Sequence, residues 1–247
     1  MPTNFFGWIV FLVQQYHNSY LQGLVTTLTT SLSGTLLGCC VGFVVGMIQS
    51  IDYQKDRGAL QNLLLAVPKA VCRVYVTVFR GTPMIVQAMV IYYGIAQMFG
   101  VNIPAFQAAI LIITLNSGAY MAETVRGGIR SIDPGQVEGA QALGMRYMTM
   151  MAHVILIIAP QIGNTFVANI KDTSVLNVIS VTELFYTTNV VAGTYFRMFE
   201  AYTITAAIYL TLTLVFNFLL RLLENGLAGS SSYEVLSPES LAQPNER

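Results

Sequence analysis

Residues Leu21 to Ile48 form an uncharged stretch of about 28 residues, and a run of that length has one stable home. As a helix across a bilayer it satisfies every backbone N–H and C=O within the segment, and its length allows some tilt. Within it Gly34, Gly38, Gly42 and Gly46 recur every fourth residue. One face of the predicted helix is therefore a smooth stripe that a second helix can approach closely. Composition extends the conclusion to the whole chain: 54% hydrophobic, 10% charged and a mean hydropathy of +0.60 over 247 residues exclude a soluble domain. A formal net charge of zero offers no field to draw nucleic acid, which is excluded as a partner.

The rest of the chain divides around that span. Residues 1–20 mix Phe5, Phe6, Trp8 and Tyr16 with Gln14, Gln15, His17 and Asn18, and read as an interfacial helix with an aromatic anchor. No basic region precedes the apolar run there, so a cleaved signal is not expected. After the charged loop from Asp52 to Gly58, Lys69, Arg73 and Arg80 fall on one helical face, which predicts a helix at the membrane surface from Ala59 to Phe79. Phe79-Arg-Gly-Thr-Pro83 breaks it, because Pro83 disfavours helical geometry at the residue before it. Four further spans are predicted: Met84 to about Phe99, Ala105 to about Val125, Tyr147 to about Asn169 with a kink at Pro160, and Ala201 to about Leu223. Thr182 to Glu200 reads as a mixed connector, and residues 226–247 as a polar, disordered tail. The fold class is thus an all-α integral membrane protein with five transmembrane helices plus interfacial helices.

Between the third and fourth spans lies the longest polar segment with apolar runs on both sides, Glu123 to Arg146. It contains a short, well-punctuated helix. Asp133 suits the cap, Pro134 the first helical position, and Gly144 the left-handed residue that ends it. Val137, Ala140, Leu143 and Gly144 fall near one face, while Gly139, Ala140 and Ala142 keep the surface low, as insertion into a groove on another protein requires. A polar loop that merely connects two spans is the other reading. Placing Lys55, Arg57, Lys69, Arg73, Arg126, Arg130, Arg146 and Arg221 on one side puts this segment and the C-terminus in the cytoplasm and the N-terminus outside.

The chain holds no Gly-Lys-Ser or Gly-Lys-Thr, so no ATP site of its own is expected. His17 and His153 stand apart, and Cys39, Cys40 and Cys72 lack metal-ligand spacing; no catalytic, cofactor or metal residues are predicted. Ionisable groups inside or beside spans are costly and therefore candidates for function. Lys171 and Asp172 either pair with each other or leave Asp172, with Thr173 and Ser174, facing a water-filled cavity. Arg80 in the broken helix either meets an anionic substrate group or snorkels to headgroups. Glu123 either answers an ammonium group or pairs with Arg126 or Arg130. Asn116, Ser117 and Tyr120 share near-helical spacing with Glu123 and complete the candidate substrate pathway.

Four pieces in order resemble the permease subunit of a bacterial ABC importer of the polar amino acid group, which takes up His, Gln, Glu and Arg. Leu21-Gln-Gly-Leu-Val-Thr-Thr27 resembles the start of that family's first span and Phe79-Arg-Gly-Thr-Pro83 its break. Gly128-Ile-Arg-Ser-Ile-Asp-Pro-Gly-Gln136 leading into Glu138-Gly-Ala-Gln-Ala-Leu-Gly144 resembles its EAA loop, and Asn169-Ile-Lys-Asp-Thr-Ser174 its later cluster. The resemblance covers residues 21–225 and implies a type I importer fold in the bacterial inner membrane. It also implies a second permease subunit, identical or a paralogue, two cytoplasmic ABC ATPase subunits that carry ATP and Mg, and an extracytoplasmic substrate-binding protein. The short helix, with Pro134, Glu138, Gly139, Ala140, Leu143 and Gly144, becomes the coupling helix that docks into the ATPase. Gly139 departs from the pattern, which usually has Ala there, and lowers helix propensity by about 1 kcal/mol. An ion-coupled secondary transporter or channel, using Lys171 and Asp172 as a relay, is the alternative.

Overall fold

The structure, a computed structural model, describes residues 2–51, 59–133, 135, 138–139, 142–144 and 147–227. It is helical, with no strand among the described residues. The elements in order are α1 (Phe5–Ser50), α2 (Ala59–Gly81), α3 (Met84–Phe99), α4 (Ala105–Arg130), α5 (Tyr147–Asp172), a 3₁₀ helix (Thr173–Ile179), α6 (Leu184–Tyr195) and α7 (Met198–Leu227). α1, α4 and α7 are long and apolar enough to cross a membrane, and two bent pairs raise the number of crossings to as many as five. In one pair α2 turns into α3 through 115°; in the other α5 and the 3₁₀ helix turn into α6 through 56°. Of the predicted tail, residues 226 and 227 end α7, and the rest lies outside the described residues.

The glycine stripe of α1 is its contact with α4. Gly34, Gly38, Gly42 and Gly46 are all buried, and they meet Ile113, Ser117, Met121 and Val125. A Cβ on Gly38 would stand 2.8 Å from Ser117 Cβ, and one on Gly46 would stand 2.7 Å from the Ala122 carbonyl oxygen. Only hydrogen fits at that separation. In lipid, where apolar side chains gain nothing by leaving the solvent, such close approach supplies the dispersion and dipole contacts that hold helices together. The buried hydroxyls of Ser31 and Thr35 are satisfied within the helix: Ser31 donates to the Thr27 carbonyl at 2.6 Å and Thr35 to the Ser31 carbonyl at 2.7 Å.

Three boundaries differ from the sequence reading. The predicted interfacial helix and first span are one unbroken helix, opened by Asn4, whose side chain accepts from the Gly7 amide at 2.8 Å. Its aromatic N-terminal part packs within the bundle: Trp8, Leu12 and Tyr20 are buried against Leu184, Val191 and Ala192 of α6 and Ala201 and Ile204 of α7. The Arg197 guanidinium covers the Trp8 ring at 4.6 Å and pairs with Glu200 at 3.5 Å. Second, the connector from Thr182 to Glu200 holds a helix, α6, because Glu183 caps it with both carboxylate oxygens. Third, α4 runs through Glu123 to Arg130, since nothing in that charged stretch breaks a helix before Ser131. α5 likewise continues through Pro160 to Asp172.

α4 is the centre of the bundle, packed by α1, α2, α3, α5 and the 3₁₀ helix. Asn169 of α5 binds three helices together, donating to Thr35 of α1 at 2.7 Å and to Ser117 of α4 at 2.8 Å. Leu210, Leu214 and Phe218 stand exposed on α7, an apolar face suited to lipid tails.

Candidate functional site

The break between α2 and α3 leaves space beside α4 and α5. Thr82 and Pro83 have no helical geometry, and Pro83 sets the sharp entry into α3. Gln87, buried one turn into α3, closes the corner. Its amide nitrogen donates to the Phe79 and Thr82 carbonyls, both at 2.8 Å, and lies 2.9 Å from the Thr82 hydroxyl. Its oxygen accepts from Asn116 of α4 at 3.0 Å. The carbonyls released by the break are thus satisfied from within the protein.

A cavity of about 360 Å³ opens between this corner and α5. Thr82, Pro83 and Met84 form one wall, Asn116, Ser117 and Tyr120 of α4 the second, and Gln161, Asn164, Thr165, Asn169 and Asp172 of α5 the third. Amides and hydroxyls line it together with the apolar Pro83, Met84, Ala168 and Val175, and among the described residues Asp172 is its only carboxylate. Asp172 forms no salt bridge with Lys171 within 4 Å, and it lines the cavity. Lys171 itself is exposed and does not line the cavity. Thr173 is buried and donates to the Ile170 carbonyl at 2.8 Å, and Ser174 donates to the Lys171 carbonyl at 2.7 Å. Both hydroxyls close the turn from α5 into the 3₁₀ helix rather than lining the cavity.

Arg80 and Glu123 stand beside the cavity. Arg126 donates to Glu123 at 2.6 Å, Arg80 lies 3.6 Å from the same carboxylate oxygen, and the Arg80 guanidinium lies 5.5 Å from the centre of the Tyr120 ring. Glu123 is thereby occupied by two cations, whereas Asp172 has no salt bridge among the described residues.

Three contributors were missed in the sequence. Gln87 is the amide four residues beyond Pro83 in a predicted span, a polar residue at membrane depth and so a signal that was present. Asn169 stood in a quoted motif without a role. Glu183 is fully buried, accepting from the Phe185 and Tyr186 amides at 2.8 and 2.6 Å and from the Tyr209 hydroxyl at 3.0 Å. A lone acid between two apolar runs was its mark.

Of the segment after α4, Asp133 accepts from the Gly135 amide at 2.7 Å, the Leu143 amide donates to the Gly139 carbonyl at 3.1 Å, and Gly144 takes a left-handed φ of +75°. Gly135, Glu138, Gly139 and Ala142 are helical. Glu138 is exposed, and Leu143 is 84% exposed. Pro134 and Ala140 lie outside the described residues.

The family model described as "Binding-protein-dependent transport system inner membrane component" matches residues 58–229, which run from the start of α2 to beyond α7. The chain belongs to this family. As one of its members it is a multi-pass permease component of the inner membrane, with the type I ABC importer-like fold. The glutamine transport system permease protein GlnP of Escherichia coli (strain K12) is 41% identical over 160 residues, covering 62% of this chain and 73% of that protein. The arginine transport system permease protein ArtQ of Bacillus subtilis (strain 168) is 32% identical over 186 residues, covering 68% and 85%. Among solved structures, an amino acid ABC transporter with histidines superposes with a TM-score of 0.75 at 33% identity, covering 91% of this chain and 99% of that one. An inward-facing MetNI methionine ABC transporter chain shares the fold, with a TM-score of 0.65 at 17% identity over 84% of this chain and 95% of its own.

Proposed function

We propose that this chain is the transmembrane subunit of an ATP-driven importer and moves a polar amino acid inward by alternating access. Asp172 carries the reading. A carboxylate without a salt bridge among the described residues, in a cavity lined by amides and hydroxyls together with Pro83, Met84, Ala168 and Val175, suits an ammonium group with a polar side chain beside it. The substrate carboxylate meets the α3 N-terminus at the break, where amides without helical partners favour negative charge. Relatives named for glutamine and arginine transport support the same substrate class.

The energy source sits on other chains. Two cytoplasmic ABC ATPase subunits bind ATP and Mg, an extracytoplasmic binding protein delivers the substrate, and a second permease, identical or a paralogue, completes the passage. Pro134, Glu138, Gly139, Ala140, Leu143 and Gly144 dock in the ATPase, with the exposed Leu143 as the apolar knob. The N-terminus is outside and the C-terminus cytoplasmic. Membership of a binding-protein-dependent family weighs against the ion-coupled secondary transporter.

Reconstitution of the chain with its co-purified subunits in liposomes tests the proposal. Uptake of one polar amino acid that stops on ATP depletion, with the membrane potential held, is expected. Uptake that follows the potential alone overturns it.

A further inference from the structure

A second recess, also of about 360 Å³, opens where α1 and α4 end. Gln49 from the end of α1, Lys69 and Arg73 of α2, and Glu123, Arg126 and Arg130 of α4 surround it. Among the described residues four cationic side chains thus face one carboxylate, and that carboxylate is engaged by Arg126 at 2.6 Å and Arg80 at 3.6 Å. Arg73 and Arg130 have no ion pair among the described residues. Lys69 donates to the Ile51 carbonyl at the end of α1.

Like charges gathered in one polar recess repel unless an anion joins them. Guanidinium forks on different helices match the oxygens of a phosphate group better than a single ammonium does. The recess also lies at helix ends, the depth at which basic pockets between spans meet lipid headgroups. We propose that it is a phosphate-binding site, held by Arg73 and Arg130 and bordered by Lys69 and Arg126. The phosphate comes either from an anionic phospholipid headgroup or from free phosphate in the adjoining water. Through Glu123 the site is one ion pair from Arg80, which lies over Tyr120 at the wall of the other cavity. Occupancy therefore bears on the position of that wall.

The test uses the full chain, purified with its accompanying subunits in phosphate-free alkyl maltoside micelles. Phosphatidylglycerol is titrated in one arm and inorganic phosphate in the other, with the thermal unfolding midpoint and bound phosphorus as readouts. Saturable binding in either arm is expected, weakened about tenfold by Arg73→Gln or Arg130→Gln and less by Arg73→Lys or Arg130→Lys. A response to lipid alone identifies the headgroup, a response to phosphate alone the free anion, and a response to both the shared group. If the glutamine variants fail to assemble, the lysine variants decide, because they keep the charge and lose the fork. No response in either arm, or affinity unchanged by all four substitutions, overturns the proposal.

Discussion

α4 presents two unlike faces. Toward α1 it offers Ile113, Ser117, Gly118, Met121 and Val125 to a row of glycines, a seam with no room for an extra carbon atom. Toward α2, α3 and α5 it offers Asn116, Tyr120 and Glu123, which reach their partners through side chains and leave a cavity between them. The contrast separates scaffold from working surface. A dry backbone contact has one good geometry, because separation by even half an ångström forfeits much of its dispersion energy. Hydrogen bonds and ion pairs at side-chain tips can be exchanged one at a time, so the polar face tolerates rearrangement that the glycine face does not.

Substitution on the glycine face should have the largest effect. Gly42→Leu would drive a side chain into Met121 and the Gly118 carbonyl, and overpacking of this kind costs about 1–3 kcal/mol even where neighbours can shift. Loss of folded protein from the membrane fraction is expected, and a normal yield with an unchanged unfolding midpoint would break the contrast. On the polar face Asp172→Asn should leave assembly intact and lower transport at least about tenfold, equivalent to about 1.4 kcal/mol. Failure of assembly instead would move Asp172 to the scaffold side.

Gly144→Glu, outside both faces, places an L residue in the left-handed region at a cost of about 1–2 kcal/mol. ATP hydrolysis that continues while uptake falls several-fold is the expected result; unimpaired uptake with the ATPase still bound would remove the docking role. Gln87→Ala should act most mildly on transport, though not on stability. It frees Asn116 and the carbonyls at the corner, each bond contributing about 1 kcal/mol. A few-fold change in apparent substrate affinity, with a lowered unfolding midpoint but assembly retained, would sharpen the division of α4.

The scaffold face was legible in the chain because it rests on periodicity, four glycines at a spacing of four. The break at Pro83 was legible for a similarly local reason, since proline constrains its own backbone and its neighbour's. What could not be read depends on partners distant in sequence. Residues 5–20 look interfacial until α6 and α7 supply a buried surface for Trp8 and Leu12. The run from Glu123 to Arg130 looks like a loop until Arg126 and Arg80 are seen on either side of Glu123. Of the residues predicted for the cavity, Asn116, Ser117, Tyr120 and Asp172 line it, whereas Thr173 and Ser174 close a turn. Helical spacing alone cannot distinguish a hydroxyl facing a cavity from one bonded to its own backbone.

The unbroken α1 has a mechanical consequence. Its 46 residues extend about 69 Å at 1.5 Å per residue, well beyond the roughly 40–45 Å of a bilayer with its headgroups. The rod is clamped at two levels, by the glycine seam with α4 and by the aromatic cluster with α6 and α7. A strut held in this way does not absorb displacement at one end; it carries it to the other. Any tilt of α4 that accompanies movement of the segment after Arg130 must therefore also swing the far end of the bundle around Trp8.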